Sequence, residues 1–215
     1  MSRTGFAQTE APGYFDTERG DMLAELEPPY GRVLDIGCGT GATARTLRAR
    51  GADRLVGVEP AGPAAALARD VFDTLHEGQV EEVLASGALT GPFDCILLYD
   101  VLEHLVDPAG VMRALRPLAA PGARVHISVP NARHWSLIRD LLLRGTFGYT
   151  EWGHRDATHL RWFTRRDLER LATDTGYRVE RSTGGVLGRN VIVNRVTAGR
   201  LEELIALQWH VLARA

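Results

Sequence analysis

Apolar and polar positions in this chain follow two rhythms. Short apolar runs at about 32–36, 54–59, 72–76, 93–99, 123–129 and 177–181 read as strands. A last one is expected at 207–213, where Leu207, Trp209, Val211 and Ala213 alternate with Gln208, His210 and Leu212. Between these runs the spacing turns helical. Residues 41–50 place Ala42, Ala44 and Leu47 on one face, and Pro63 opens a further helix at a position that needs no amide donor. Shorter helical stretches follow near 80–86, from Asp107-Pro108 to about 118, and over 132–143. Pro121-Gly122 reads as a turn into the fifth strand, 144–163 as a long aromatic-rich loop, and 184–205 as a turn plus helix. Thr164 and Asp167 form a capping-box-like start for a helix that ends at Gly176. Strands alternating with helices imply an α/β fold, a mostly parallel sheet covered on both faces.

Composition adds exclusions. The chain has 215 residues, 45% of them hydrophobic, and a formal charge of −2. That describes an ordinary globular chain, expected to be one domain over 1–215 and large enough to bury a sizeable core. The charge gives no support for a nucleic-acid surface. No apolar run approaches the roughly 20 residues that span a bilayer, and the first ten residues lack an apolar core for export. Cys38 and Cys95 lie in apolar stretches and read as reduced, which fits a cytoplasmic chain. There is no lysine, so Schiff-base, phosphate-loop and lysine-base chemistry are excluded. A proton acceptor has to come from His, Asp, Glu, Tyr or a water they orient.

One segment carries more chemistry than any other. Val33-Leu34-Asp35-Ile36 runs into Gly37-Cys38-Gly39-Thr40-Gly41, and about 20 residues on a second apolar run ends in Glu59, placed to reach ribose hydroxyls. The glycines let the backbone turn sharply and a ligand approach closely. Dinucleotide sites use G-x-G-x-x-G with a pyrophosphate at a helix N-terminus. Here the spacing is G-x-G-x-G, and Asp35 would repel a pyrophosphate but attract an ammonium group. S-adenosyl-L-methionine, with an ammonium, a sulfonium and a ribose, suits acids at 35 and 59; its product is S-adenosyl-L-homocysteine.

The motif resembles that of the class I S-adenosylmethionine-dependent methyltransferases. Tyr99-Asp100-Val101-Leu102-Glu103-His104 resembles the strand-end signature of the ubiquinone-biosynthesis-type O-methyltransferases. Pro130-Asn131, His134-Trp135 and the run Asp156-Ala157-Thr158-His159-Leu160-Arg161-Trp162-Phe163 resemble bacterial small-molecule methyltransferases. The resemblance implies a Rossmann-like, doubly wound sheet of seven strands, mostly parallel with the last antiparallel. It implies cofactor contacts at Tyr14, Asp35, Gly37, Cys38, Gly39, Gly41, Glu59, Gln79, Val80, Tyr99, Asp100 and His104. It also implies that residues 1–30, including Tyr14 and Arg19, cap the cofactor, and that 130–164 forms a substrate-side loop or lid. In some such relatives a divalent metal is implicated at positions matching Asp100, Glu103 and His104. The plainer expectation is that Glu103 and His104 order the loop by hydrogen bonds, with no metal.

The activity implied is methyl transfer to a small-molecule acceptor, with oxygen on a sugar-like or natural-product hydroxyl favoured over nitrogen or carbon. An NAD(P)-dependent oxidoreductase and a non-catalytic cofactor-binding subunit are the rivals. A hydroxyl is a weak nucleophile, so a base helps. His159 is the first candidate, with Asp156 orienting it, and His154 the second; His126 is expected to face the sheet packing. The chain is read as a monomer or a homodimer.

Overall fold

The computed structural model describes residues 20–151 and 153–215. The expected contacts of Tyr14 and Arg19, and the packing of Trp152, lie outside these residues. Chain order runs α1 (Gly20–Leu23), β1 (Arg32–Ile36), α2 (Ala42–Ala49), β2 (Arg54–Glu59), α3 (Gly62–Ala68), β3 (Thr74–Glu77), α4 (Val80–Ala85) and β4 (Phe93–Tyr99). It continues with α5 (Pro108–Leu115), β5 (Ala119–Pro130), α6 (Trp135–Arg144), α7 (Arg165–Asp174), β6 (Arg178–Gly185), α8 (Arg189–Val196), α9 (Glu202–Ile205) and β7 (Gln208–Arg214). The seven strands form one sheet in the order β3-β2-β1-β4-β5-β7-β6. β1 to β5 are parallel, and β7 runs antiparallel to both β5 and β6. This is the Rossmann-like sheet with its reversed final strand.

Side chains alternate across the sheet and feed two apolar layers. Leu34, Ile36, Ile96, Leu98, Val125 and Ile127 pack with Met112, Leu115 and Leu168 of α5 and α7. Val33, Leu55, Cys95 and Leu97 pack on the other face with Leu23, Leu47 and Phe72. Strands buried on both faces need near-continuous apolar runs, and β1 and β4 have them. Thr164 caps α7 as expected: its hydroxyl accepts from Asp167 N while the Asp167 carboxylate accepts from Thr164 N.

Several boundaries move. β3 starts at Thr74, because Phe72 turns into the second apolar layer. Pro121-Gly122 does not precede β5 but lies within it. The ladder to β4 shifts register between Phe93 and Cys95, Gly122 takes φ 75°, and its amide bonds to the Ala215 carbonyl at 3.1 Å; a bulge absorbs the turn. α6 begins at Trp135, since the Asn131 side chain accepts from Arg133 N and holds that segment as a turn. β6 extends to Gly185, and 184–205 holds two helices rather than one. Among the described residues no helix is long and apolar enough to cross a membrane. Cys38 and Cys95 are free and buried.

Candidate active site

In a parallel sheet the loops leaving the carboxyl ends of neighbouring strands converge, and the switch from β1 to β4 makes a crevice there. The loop after β1 is fixed by its backbone. Gly37 N and Cys38 N both donate to the Val58 carbonyl, at 2.8 and 3.2 Å. Gly37 has φ 68°, and a Cβ there would sit 2.7 Å from Val101 Cγ2; this position needs glycine for both reasons. Asp35 is buried beneath the loop.

Glu59 closes the opposite wall. Its Oε2 accepts from Gly39 N at 2.7 Å and its Oε1 from Ala61 N at 2.9 Å. One carboxylate therefore ties the end of β2 to the glycine loop. Burial raises its pKa, opposed by these two backbone bonds. Each oxygen keeps a further lone pair for a ligand hydroxyl. The Cys38 thiol is also pushed upward, by burial first and then by Asp35 and Glu59, so it stays protonated. Beyond β3, Gln79 is exposed at the start of α4, next to Gly78, whose amide donates to the Glu59 carbonyl. Val80 is buried in the first apolar layer.

At the end of β4, Asp100 adopts φ 55°, a left-handed conformation that costs a residue with a Cβ of order 1–3 kcal/mol and concentrates at functional sites. Neighbouring strands hold it there. Ser128 Oγ donates to its Oδ1 at 2.9 Å, and Gln208 Nε2 donates to Oδ1 and Oδ2 at 2.9 and 3.0 Å. Behind it, the Tyr99 hydroxyl meets His126 Nδ1 at 2.8 Å. His126 is fully buried in the sheet packing, as expected, and burial, then His210 and Arg181, depress its pKa to about 3.

Four further histidines form two pairs. The rings of His104 and His159 lie 4.8 Å apart and those of His134 and His154 5.2 Å apart. Burial lowers the pKa of all four. It takes His159 to about 4, helped by His104 and opposed by Asp156 and Asp100, and His134 to about 4, helped by His154 and Arg155. All four are neutral imidazoles at pH 7.

The structure gives Asp156 a different task from the one expected. Its Oδ1 accepts from Thr158 N and Thr158 Oγ1, both at 2.7 Å, rather than from the His159 ring. Thr158 Oγ1, its one proton spent on that carboxylate, accepts from His104 Nδ1 at 3.3 Å. His154 Nε2 sits 3.3 Å from Ser136 Oγ, which also meets His134 Nδ1 at 2.8 Å. Arg155 anchors this group. It donates to Asp140 at 2.8 Å, Ser136 at 3.2 Å, the Phe147 carbonyl at 3.3 Å and His154 at 3.4 Å. Among the described residues, one grouping has donor atoms suited to a cation, all within 4.8 Å of one another: Glu103, His104 and His159. Asp100 is not part of it. Sequence reasoning missed Ser128, Thr158 and Gln208; nothing in the local pattern marks a strand Gln or Ser as a carboxylate's support.

Comparison with known proteins agrees with this geometry. The methyltransferase domain family matches residues 9–182. A ubiquinone biosynthesis O-methyltransferase of Pectobacterium atrosepticum is 31% identical over 189 residues, covering 81% of this chain and 78% of that protein. The one from Aeromonas salmonicida is 36% identical over 103 residues, 46% of this chain and 43% of its own length; the chain spans about half the length of several such relatives. An S-adenosylmethionine-dependent methyltransferase from Archaeoglobus fulgidus shares the fold, with a TM-score of 0.68 at 16% identity over 92% of this chain and 91% of that one. A glycine loop pinned by a buried acid, a reversed seventh strand and a family match across most of the sequence converge: the chain belongs to the S-adenosylmethionine-dependent methyltransferases.

Proposed function

We propose that this chain moves the methyl group of S-adenosylmethionine to a hydroxyl of a small acceptor, sugar-like or natural-product in character. The observation that carries the reading is the paired imidazoles of His104 and His159, 4.8 Å apart and within the field of Asp100 at the end of β4. Asp35 holds the cofactor's ammonium group and Glu59 its ribose diol. Gln79 and Val80 flank the adenine, while Tyr99, Asp100 and His104 border the methionine arm. The sulfonium is already a good leaving group, so the protein mainly aligns the acceptor oxygen with the methyl carbon.

As the oxygen–carbon bond forms, the carbon–sulfur bond breaks and neutral S-adenosylhomocysteine departs. The hydroxyl proton passes to His159, a step of the kind that contributes about 10²–10⁴-fold. His154 is the second choice, and Asp156 acts by holding Thr158 and His104. An uncharged imidazole accepts a proton from a neutral hydroxyl without burying a second charge beforehand. The names of the ubiquinone biosynthesis relatives support oxygen as the methylated atom.

The test is turnover with ¹³C-methyl-labelled cofactor against nucleotide sugars, glycolipids and phenols, with the product read by mass and by carbon NMR. An O-methyl signal supports the proposal. A methyl found on nitrogen or carbon overturns the oxygen assignment, and S-adenosylhomocysteine binding without turnover on any acceptor favours a non-catalytic subunit. Cofactor binding is checked separately by thermal stabilisation, since a ligand of the native state raises its stability.

A further inference from the structure

The loop that brings His159 to the cleft also carries charge and rings that methyl transfer itself does not use. Residues 130–164 hold five arginines against three acids, in a chain whose formal net charge is −2. Ion pairing does not absorb the excess. Asp140 is met by Arg139, Arg144 and Arg155, and Arg133 pairs with Glu203 from beyond the loop. Asp156 is turned to Thr158. Arg161 has no carboxylate partner among the described residues; it donates to the carbonyls of Leu160 and Val106. Val106 lies two residues beyond His104, so this contact holds the guanidinium at the rim of the cleft. A guanidinium has five N–H donors in a fixed fork. Those not given to the two carbonyls belong to an exposed side chain and match a pair of phosphate oxygens.

The rings beside it are the second observation. The Trp162 ring meets that of Phe147 at 5.5 Å, and Phe147 lies 4.6 Å from Tyr149. Trp162 is 43% and Tyr149 58% exposed, so aromatic surface that could stack on a planar ligand stays open. Arg155 ties this group to the histidines, donating to the Phe147 carbonyl and to His154. His154 in turn lies close enough to His159 to act on its ring. Burial follows the order of the residues. His159 is buried, whereas Arg161 and Trp162 are exposed. From the cleft outward the loop thus offers a proton acceptor, a cation and a stacking surface.

We propose that the acceptor is a sugar joined to a nucleoside diphosphate, with its hydroxyl at His159, its phosphates on Arg161 and its base stacked on Trp162 and Tyr149. This names the substrate class of the proposed function and rests on that reading for the reacting hydroxyl. Simpler acceptors leave part of the arrangement unused. A neutral sugar leaves the cation bare, a phenol fills the rings alone, and a sugar phosphate without a base leaves the rings uncovered.

The experiment is calorimetric titration of the full chain saturated with S-adenosylhomocysteine, so that the cofactor crevice is already filled. The probes are UDP, dTDP, GDP and ADP with their glucose conjugates, beside glucose 1-phosphate, glucose and catechol. The expected result is that a nucleoside diphosphate binds at least tenfold more tightly than the last three, and more weakly as salt rises. Arg161→Met weakens that binding at least tenfold, and Arg161→Lys recovers part of it, because lysine keeps the charge but not the fork. Trp162→Leu weakens it about tenfold while glucose 1-phosphate binding changes by less than twofold. S-adenosylhomocysteine affinity and thermal denaturation, measured on every variant, report whether the fold survives. No binding of any nucleoside diphosphate, equal binding of glucose 1-phosphate or catechol, or parent affinity in Arg161→Met each overturns the assignment. Diphosphate binding by a chain that methylates no conjugate would leave the seat standing and remove the proposed function. Methylation of a neutral hydroxyl by a chain that binds no diphosphate would do the reverse.

Discussion

Glu59 makes the sharpest prediction, because one side chain serves both the fold and the cofactor. Its two oxygens accept from Gly39 N and Ala61 N in a buried setting. Glu59→Gln keeps the shape and one accepting oxygen but turns an NH₂ group toward the remaining N–H. A buried donor left unsatisfied costs about 1–3 kcal/mol. At about 2–4 °C per kcal/mol for a chain of this size, the midpoint of thermal unfolding falls by about 2–12 °C. Burial raises the Glu59 pKa, so the native carboxyl loses stability as pH rises from the ordinary carboxylate range through its raised value. The amide does not titrate, and the deficit of the variant is therefore larger near pH 4 than at pH 7. The cofactor effect adds to this. Losing a hydrogen bond between a ribose hydroxyl and a charged acceptor costs about 1.5–3 kcal/mol, or about 10- to 150-fold in the dissociation constant of S-adenosylhomocysteine. Calorimetric titration of the folded variant reads it directly. An affinity within twofold of the parent chain would show that residue 59 does not hold the ribose.

Three further outcomes follow from the surrounding contacts. Gln208→Leu removes two bonds to the Asp100 carboxylate and should cost about 1.5–3 kcal/mol in urea denaturation. Gln208→Glu sets a second acid against Asp100 and should cost more at pH 8 than at pH 5, and parent-like stability at pH 8 would show that the contact is absent in solution. His126, His134 and His159 have folded pKa values of about 3, 4 and 4, below the ordinary 6.5. Their contribution is complete above pH 6.5 and is lost as pH falls toward those values, by at most about 1.4 kcal/mol per pH unit for each group. The urea midpoint should drop between pH 7 and pH 5 and drop less steeply in His126→Gln; a flat profile in the parent chain contradicts this. Arg155→Met deletes the anchor shared by Asp140, Ser136, His154 and the Phe147 carbonyl, so amide exchange across 144–163 should accelerate while that of β4 stays unchanged.

What the sequence disclosed, and what it withheld, divides by the range of the interactions. The glycine loop, the Pro63 helix start and the Thr164–Asp167 cap are set by residues a few positions apart, and each appears where the pattern puts it. The bulge in β5 depends on pairing with β4 and on Ala215, so Pro121-Gly122 looks like an ordinary turn when read alone. α8 leaves Val191, Ile192 and Val196 exposed and buries none of its residues, so it carries no amphipathic signature to find. At the site, Asp35 and Glu59 were legible from type and spacing. The support of Asp100 was not, because Ser128 and Gln208 lie 28 and 108 residues downstream and meet it only when three strands are side by side. Likewise, a three-residue spacing brought Asp156 near His159 on paper, but the backbone turn gave the carboxylate to Thr158 first.

The place of β7 has a consequence for assembly. It follows β6 in the chain yet lies between β5 and β6, so β6 emerges from the ribosome before β7, its one partner strand among the described residues, exists. Until residues 208–214 appear, β5 keeps an open edge and Asp100 lacks the Gln208 amide. The cleft's acid is thus completed by the last of the seven described strands to be synthesised, and a nascent chain halted before that point holds five strands of that sheet with the cofactor crevice unfinished.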